Sequence, residues 1–169
     1  MISAFSKAFA AVIQVEGGLS LDPQDRGNWT SGVIGVGELR GTKYGISAAA
    51  YPDLDIAGLS LAASRALYFR DYWLPLHADA MPEAVAVQVF DAAVNHGIKP
   101  AVRMMQRALG MTVDGIIGPQ TLAAMTTTDD ARFVARFAAE RLLYYTDLAG
   151  WEAFGRGWTR RVASNLRRA

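Results

Sequence analysis

Apolar residues recur at helical spacing from the start of the chain. Phe5, Phe9, Val12 and Ile13 fall on one face of a segment that Ser3 can cap and that Gly17 and Gly18 can end in a left-handed cap. This predicts a first helix with Glu16 in its last turn. The pattern then breaks. From Leu19 to Gly45 the chain reads LSLDPQDRGNWTSGVIGVGELRGTKYG, where glycines punctuate Val/Ile segments long enough for a small hairpin at most. Helical periodicity returns after Ser60 in LAASRALYFRDYWL, halted by Pro75, and again in PEAVAVQVFDAAVNHG between Pro82 and Gly97. It continues in PAVRMMQRALG up to Gly110 and in a short helix opened by Gly118 and Pro119 that reaches Met125. Asp129 or Asp130 caps a longer helix whose Val134, Ala138, Leu142, Tyr145 and Ala149 form a stripe closing at Gly150. Trp158, Val162 and Leu166 mark a last amphipathic helix. The predicted class is mainly α, with a small irregular or β-hairpin region after the first helix.

Composition narrows the chemistry. With 169 residues, 51% of them hydrophobic and 20% charged, and a net charge of +1, the chain can bury a core and is neither a disordered segment nor a wholesale nucleic-acid binder. Cysteine is absent, which removes disulfides, thiol nucleophiles and thiolate metal sites. His77 and His96 are the only imidazoles and do not stand at zinc-ligand spacing, so neither a metal nor another cofactor is expected. No apolar run is long enough for a membrane span. Lys7 and Gln14 interrupt the apolar N-terminal segment and Glu16 closes it, so it reads as a helix of the folded protein rather than a signal peptide. Synthesis in the cytoplasm is expected.

Charge is uneven. Of 17 basic residues, Arg156, Arg160, Arg161, Arg167 and Arg168 follow Glu152, the last acidic residue, leaving 12 basic against 16 acidic residues before them. A last helix with a solvated cationic side accounts for this, and so does attraction to an anionic polymer or membrane surface.

Several side chains are candidates for chemistry. Glu16 before Gly17-Gly18 is either a helix-end residue with its cap or a general acid. A helix C-terminus raises a carboxyl pKa, which a proton donor needs and stability does not favour. Asp22 and Asp25 follow in LDPQDRG, as turn residues or as the second carboxylate that glycosidic cleavage requires. Thr42 and Tyr44 in GTKYGIS could grip a sugar or a water, or mark a strand end with a surface tyrosine. Tyr68, Tyr72 and Trp73 in YFRDYW could stack on sugar rings or fill the core. GVIGVGELRG lacks the dinucleotide fingerprint, and no G-x-S-x-G elbow occurs.

VEGGLSLDPQDRGNWTSG followed by GTKYGIS resembles the N-terminal signature of glycoside hydrolase family 108, the N-acetylmuramidases found as phage and prophage endolysins. NHGIKPAVRMMQRALGMTVDGIIGPQTLAAM through LAGWEAFGRGWTRRV resembles the peptidoglycan-binding region paired with it. The resemblance implies a lysozyme-like helical fold, with residues 1–82 as catalytic half and 83–169 as helical peptidoglycan-binding half, packed as one compact unit. It implies hydrolysis of the β-1,4 bond between N-acetylmuramic acid and N-acetylglucosamine, with Glu16 as acid and Asp25 as second carboxylate, Asp22 being the alternative. Thr42, Tyr44, Tyr72 and Asn95 are the expected substrate contacts. Peptidoglycan is the expected partner of a monomer that reaches the wall through a holin or a secretion route, helped by contact of its basic tail with an anionic envelope. Two other classes stand beside this: a non-catalytic peptidoglycan-binding protein, and a helix-turn-helix nucleic-acid binder over VRMMQRALGMTVDGIIGPQTLAAM. The latter has few basic residues outside the tail, so no nucleic-acid partner is expected.

Overall fold

The computed structural model describes residues 3–13 and 18–168. Glu16 and the capping role of Gly17 lie outside the described residues. Among these residues the chain forms seven α-helices and three two-residue strands, a mainly α fold with a small strand region. It divides into two compact units, one of Phe9–Phe69 and one of Met1–Ala8 with Arg70–Ala169.

Helix α1, Ala4–Ile13, opens as its sequence predicts, with the Ser3 hydroxyl accepting from the Ser6 amide at 3.2 Å. Its Phe5, Ala8, Phe9 and Val12 are buried. In the Phe9–Phe69 unit, Phe9 meets Tyr68 edge-on, with ring centroids 5.7 Å apart. Tyr68 ends α2 (Leu61–Tyr68), whose first turn is capped by Ser60. Strands β1 (Leu19–Ser20), β2 (Thr42–Lys43) and β3 (Ile46–Ser47) form an antiparallel sheet in that order, with Ser20 opposite Thr42 and Thr42 opposite Ser47.

The predicted small hairpin exists, but not in the Val/Ile segments. It is β2–β3, because Tyr44 (φ 51°) and Gly45 (φ 73°) supply the two positive-φ residues of a hairpin turn whose twist matches its strands. Gly41 is needed for a second reason: a Cβ there would lie 2.4 Å from the Ser20 carbonyl oxygen on β1. The Val/Ile stretch is instead an excursion closed by a bridge between Trp29 and Leu39 and by the Thr30 amide on the Glu38 carbonyl at 3.0 Å. Glycines at 32, 35 and 37 adopt positive φ and break any extended run, so Val33, Ile34 and Val36 stay exposed at the tip.

The larger unit carries α3 (Glu83–His96), α4 (Ile98–Leu109), α5 (Pro119–Thr127), α6 (Asp130–Thr146) and α7 (Trp151–Leu166). Pro82, Gly97, Gly110 and Gly118 stand at the helix limits read from sequence. Asp129, rather than Asp130, caps α6 through the Arg132 amide at 2.8 Å. Phe5, Trp73 and Phe90 form one aromatic cluster, with centroids 5.3 to 5.9 Å apart, and the Trp73 indole donates to Asp79 at 2.8 Å. The predicted stripe to Gly150 is shortened. Helix α6 stops at Thr146, Ala149 is exposed, and Gly150 stands at the N-cap of α7, because the Leu148 amide turns back to the Tyr145 carbonyl at 3.1 Å and Leu148 packs beside Tyr145.

Helices α3, α6 and α7 meet around a buried charge. Asp91 pairs with Arg141 at 2.8 Å, a close ion pair rather than a well-angled hydrogen bond, and with Arg161 at 2.8 Å. Burial pushes the Asp91 carboxyl up, and the two guanidiniums outweigh it and leave it below the ordinary aspartate value. Arg141 also donates to the Tyr145 hydroxyl at 3.0 Å, which lies 3.1 Å from His96 Nε2. Burial, reinforced by Arg141, lowers the His96 pKa to about 4. Arg161, read from sequence as part of a solvated cationic side, is therefore a core ion-pair partner, while Arg156 and Arg160 are exposed. Between α4 and α5, buried Gln106 donates to Asp114 at 2.6 Å and accepts from the Gly115 amide at 2.8 Å, fixing the VDGIIG loop.

Candidate active site

The candidate carboxylates emerge from a turn that directly follows β1. Pro23 presets the backbone of the Asp22–Asp25 turn, and the Asp25 amide closes it on the Asp22 carbonyl at 3.2 Å. Asp22 Oδ1 accepts from the Gln24 amide at 2.9 Å, and Asp25 Oδ1 accepts from the Gly27 amide at 2.8 Å, capping the short 3-10 turn Arg26–Asn28. Both residues therefore perform the turn chemistry open to them from sequence. Each also keeps a second oxygen with no hydrogen bond among the described residues, on an exposed side chain. A carboxylate held by one oxygen and open at the other can orient a water or face a developing positive charge.

Asn28 holds this turn in place. It is fully buried, and its Nδ2 donates to the Asp22 carbonyl at 2.9 Å and, more weakly, to the Ser20 hydroxyl at 3.5 Å. Its own carbonyl receives the Arg40 and Gly41 amides, both at 3.0 Å, and the Gly27 carbonyl receives the Ala49 amide at 3.0 Å. The Trp29 indole adds a bond to the Pro23 carbonyl at 3.0 Å. Sequence reasoning gave Asn28 no role. Asn28→Ala is expected to lower stability by roughly 1–2 kcal/mol, since loss of the Nδ2 bonds is partly offset by removing an Oδ1 with no partner among the described residues. Denaturant melts and faster hydrogen exchange at the Asp25 and Gly27 amides would check this.

Thr42 lies on β2 opposite Ser20, two residues before Asp22, so the sheet brings it to the base of the carboxylate turn. Tyr44 stands at the far end of the hairpin. Its carbonyl receives the Tyr68 hydroxyl at 3.1 Å, and its half-buried ring lies 5.5 Å from the Lys43 ammonium. A groove of about 480 Å³ opens in the same unit, lined by Leu19, Leu21, Leu39, Arg40, Asp53 and Asp55 among others. Neither Asp53 nor Asp55 carries a sequence motif that would have singled it out.

Tyr72 and Asn95 belong to the other unit. Tyr72 sits in a π-type turn, Phe69–Trp73, half-buried and edge-on to Phe90 at 6.5 Å, and burial followed by the Asp71 charge raises its pKa. Asn95 is exposed near the end of α3, with its amide on the Asp91 carbonyl at 2.5 Å. Among the described residues no group of three or more His, Asp or Glu side chains is placed to hold a metal ion.

Comparison with known proteins gives these units a context. Residues 9–97 match a family model described as Glycosyl hydrolase 108, and residues 100–163 match one described as Predicted Peptidoglycan domain. A solved structure, described as that of Brucella abortus SagA, is similar at 29% sequence identity and a TM-score of 0.81, over 97% of this chain and 92% of its own. No curated protein matches.

Proposed function

This chain belongs to glycosyl hydrolase family 108, and we propose that it is an N-acetylmuramidase that cleaves the β-1,4 bond between N-acetylmuramic acid and N-acetylglucosamine. A glycoside hydrolase match and a peptidoglycan-domain match on one chain support peptidoglycan degradation. The observation that carries the finer reading is the exposed, one-sided anchoring of Asp22 and Asp25 in the turn that follows Glu16 in sequence.

In this mechanism Glu16 protonates the leaving glycosidic oxygen as the bond to the anomeric carbon breaks, and water supplies the hydroxyl of the new reducing end. Asp25 is the second carboxylate. It is anchored to a turn that Asn28 ties to the sheet, and it either directs water or faces the oxocarbenium-like sugar. Thr42 and Tyr44 contact the glycan from the hairpin, with Tyr72 and Asn95 as further contacts. The protein acts as an endolysin of phage or prophage type, a monomer made in the cytoplasm that meets the wall once a holin or secretion route gives access. Exposed Arg156 and Arg160 assist contact with an anionic envelope.

Mass spectrometry of the soluble products from purified peptidoglycan, reduced with borohydride, tests the bond. Reduced muramic acid ends are expected. Reduced glucosamine ends, anhydro ends or cleaved peptides would overturn the bond assignment. Binding without release of products would favour a non-catalytic wall-binding protein.

A further inference from the structure

Helix α7 carries an aromatic row that its own fold does not use up. Trp158 packs tilted against buried Tyr145, with centroids 5.2 Å apart and planes at 31°, and Phe154 continues the row from Trp158 at 5.9 Å and 34°. The inner end is locked in the α6–α7 core, while Phe154 is 61% exposed and Trp151 37%. Trp151, Phe154 and Trp158 share one helix face at spacings of three and four residues. The Trp151 ring lies flat against Gly155, where an added Cβ would fall 2.7 Å from it.

Gly157 has no such excuse. It sits in the interior of α7, three positions from Phe154, and a Cβ there would meet nothing within 4 Å. Alanine would fit and would favour the helix. A helix-interior glycine over open space, beside an exposed phenylalanine anchored at its inner edge, leaves room for something to come close to the backbone. Arg160, exposed and three positions from Gly157, borders the glycine side of this surface and gives it positive charge, whereas Arg156 lies on the opposite side of the helix.

We propose that Trp151, Phe154 and the surface over Gly157 form a glycan platform, separate from the carboxylate turn, on which sugar rings of peptidoglycan stack while Arg160 at its border meets carboxylates of the stem peptides. The proposal deepens the peptidoglycan reading and rests on it, the platform lying within the residues matched by the peptidoglycan-domain model. Flat apolar sugar faces suit aromatic rings held rigid in advance, because little side-chain freedom remains to be lost on binding.

The test is co-sedimentation of the full chain with purified sacculi in the cold, over a range of sacculus concentrations, with melting temperatures measured in parallel. Phe154→Ser is expected to weaken binding about fivefold to tenfold. Gly157→Leu is expected to weaken it comparably while melting at or above the parent, a combination that a purely structural role for Gly157 does not produce. Parent-like binding by both variants would overturn the platform and leave the wall substrate standing. A concentration-dependent dimer lost in Phe154→Ser, with sacculus binding unchanged, would overturn it in favour of contact between copies of the chain. A parent that binds no sacculi would remove the peptidoglycan reading itself.

Discussion

Asp91→Ala is expected to destabilise the unit that contains α3 to α7 by about 3–5 kcal/mol, read as a shift in denaturant midpoint. Asp91 is the one carboxylate between two guanidiniums, and Arg141, with only 1% of its side chain exposed, cannot turn to water once its partner is gone. Arg161, at 26%, can. The partners are therefore unequal. Arg141→Met should cost less than Asp91→Ala, because Asp91 keeps Arg161 and the methionine removes Nε and Nη1 atoms that have no hydrogen-bond partner among the described residues. If the two variants lose equal stability, the argument from stranded charge fails. The same cluster gives a pH dependence. Asp91 has a folded-state pKa below its unfolded value, so its contribution is complete above about pH 4 and is lost only as pH falls through the lower, folded value. His96 acts earlier. Its folded-state pKa is about 4 against 6.5 unfolded, so the unfolded chain takes up the proton first and stability declines as pH falls from 6.5 towards 4.

This cluster also marks where sequence reading stops. Helix limits were legible because they are local: Ser60 and Asp129 cap through their own side chains, and Gly110 ends α4 with a positive φ. The burial of Phe5, Phe9, Val134, Ala138 and Val162 follows from spacing alone. Arg161 was misread as solvated because its partner lies 70 residues away, and charge patterning sees only the helix itself. The end of α6 was misread because the Leu148 turn satisfies backbone groups without a glycine at the break. In the candidate site, the turn around Pro23 was legible in LDPQDRG, whereas the hold of Asn28 on it was not. An asparagine in a loop has no period, and its partners lie on residues 20, 22, 40 and 41.

Replacing Glu16 by glutamine should lower the initial rate of reducing-end release by about 10²–10⁴-fold while leaving sacculus binding in place, because glutamine keeps the shape of the side chain and removes the proton it would donate. Glu16 lies outside the described residues, so this variant tests a role that follows from sequence and family rather than from geometry. Its strength comes from the pair of controls that geometry does supply. Asp22→Asn and Asp25→Asn each preserve an oxygen able to accept the Gln24 or Gly27 amide, so the turn should survive in both variants and any loss of rate reports the missing charge. Asp25→Asn is expected to give the large loss and Asp22→Asn a small one, since Asp25 begins the segment whose carbonyls are tied to Arg40, Gly41 and Ala49. The opposite order would move the second carboxylate to Asp22. Parent-like rates from Glu16→Gln would take the acid away from Glu16 altogether.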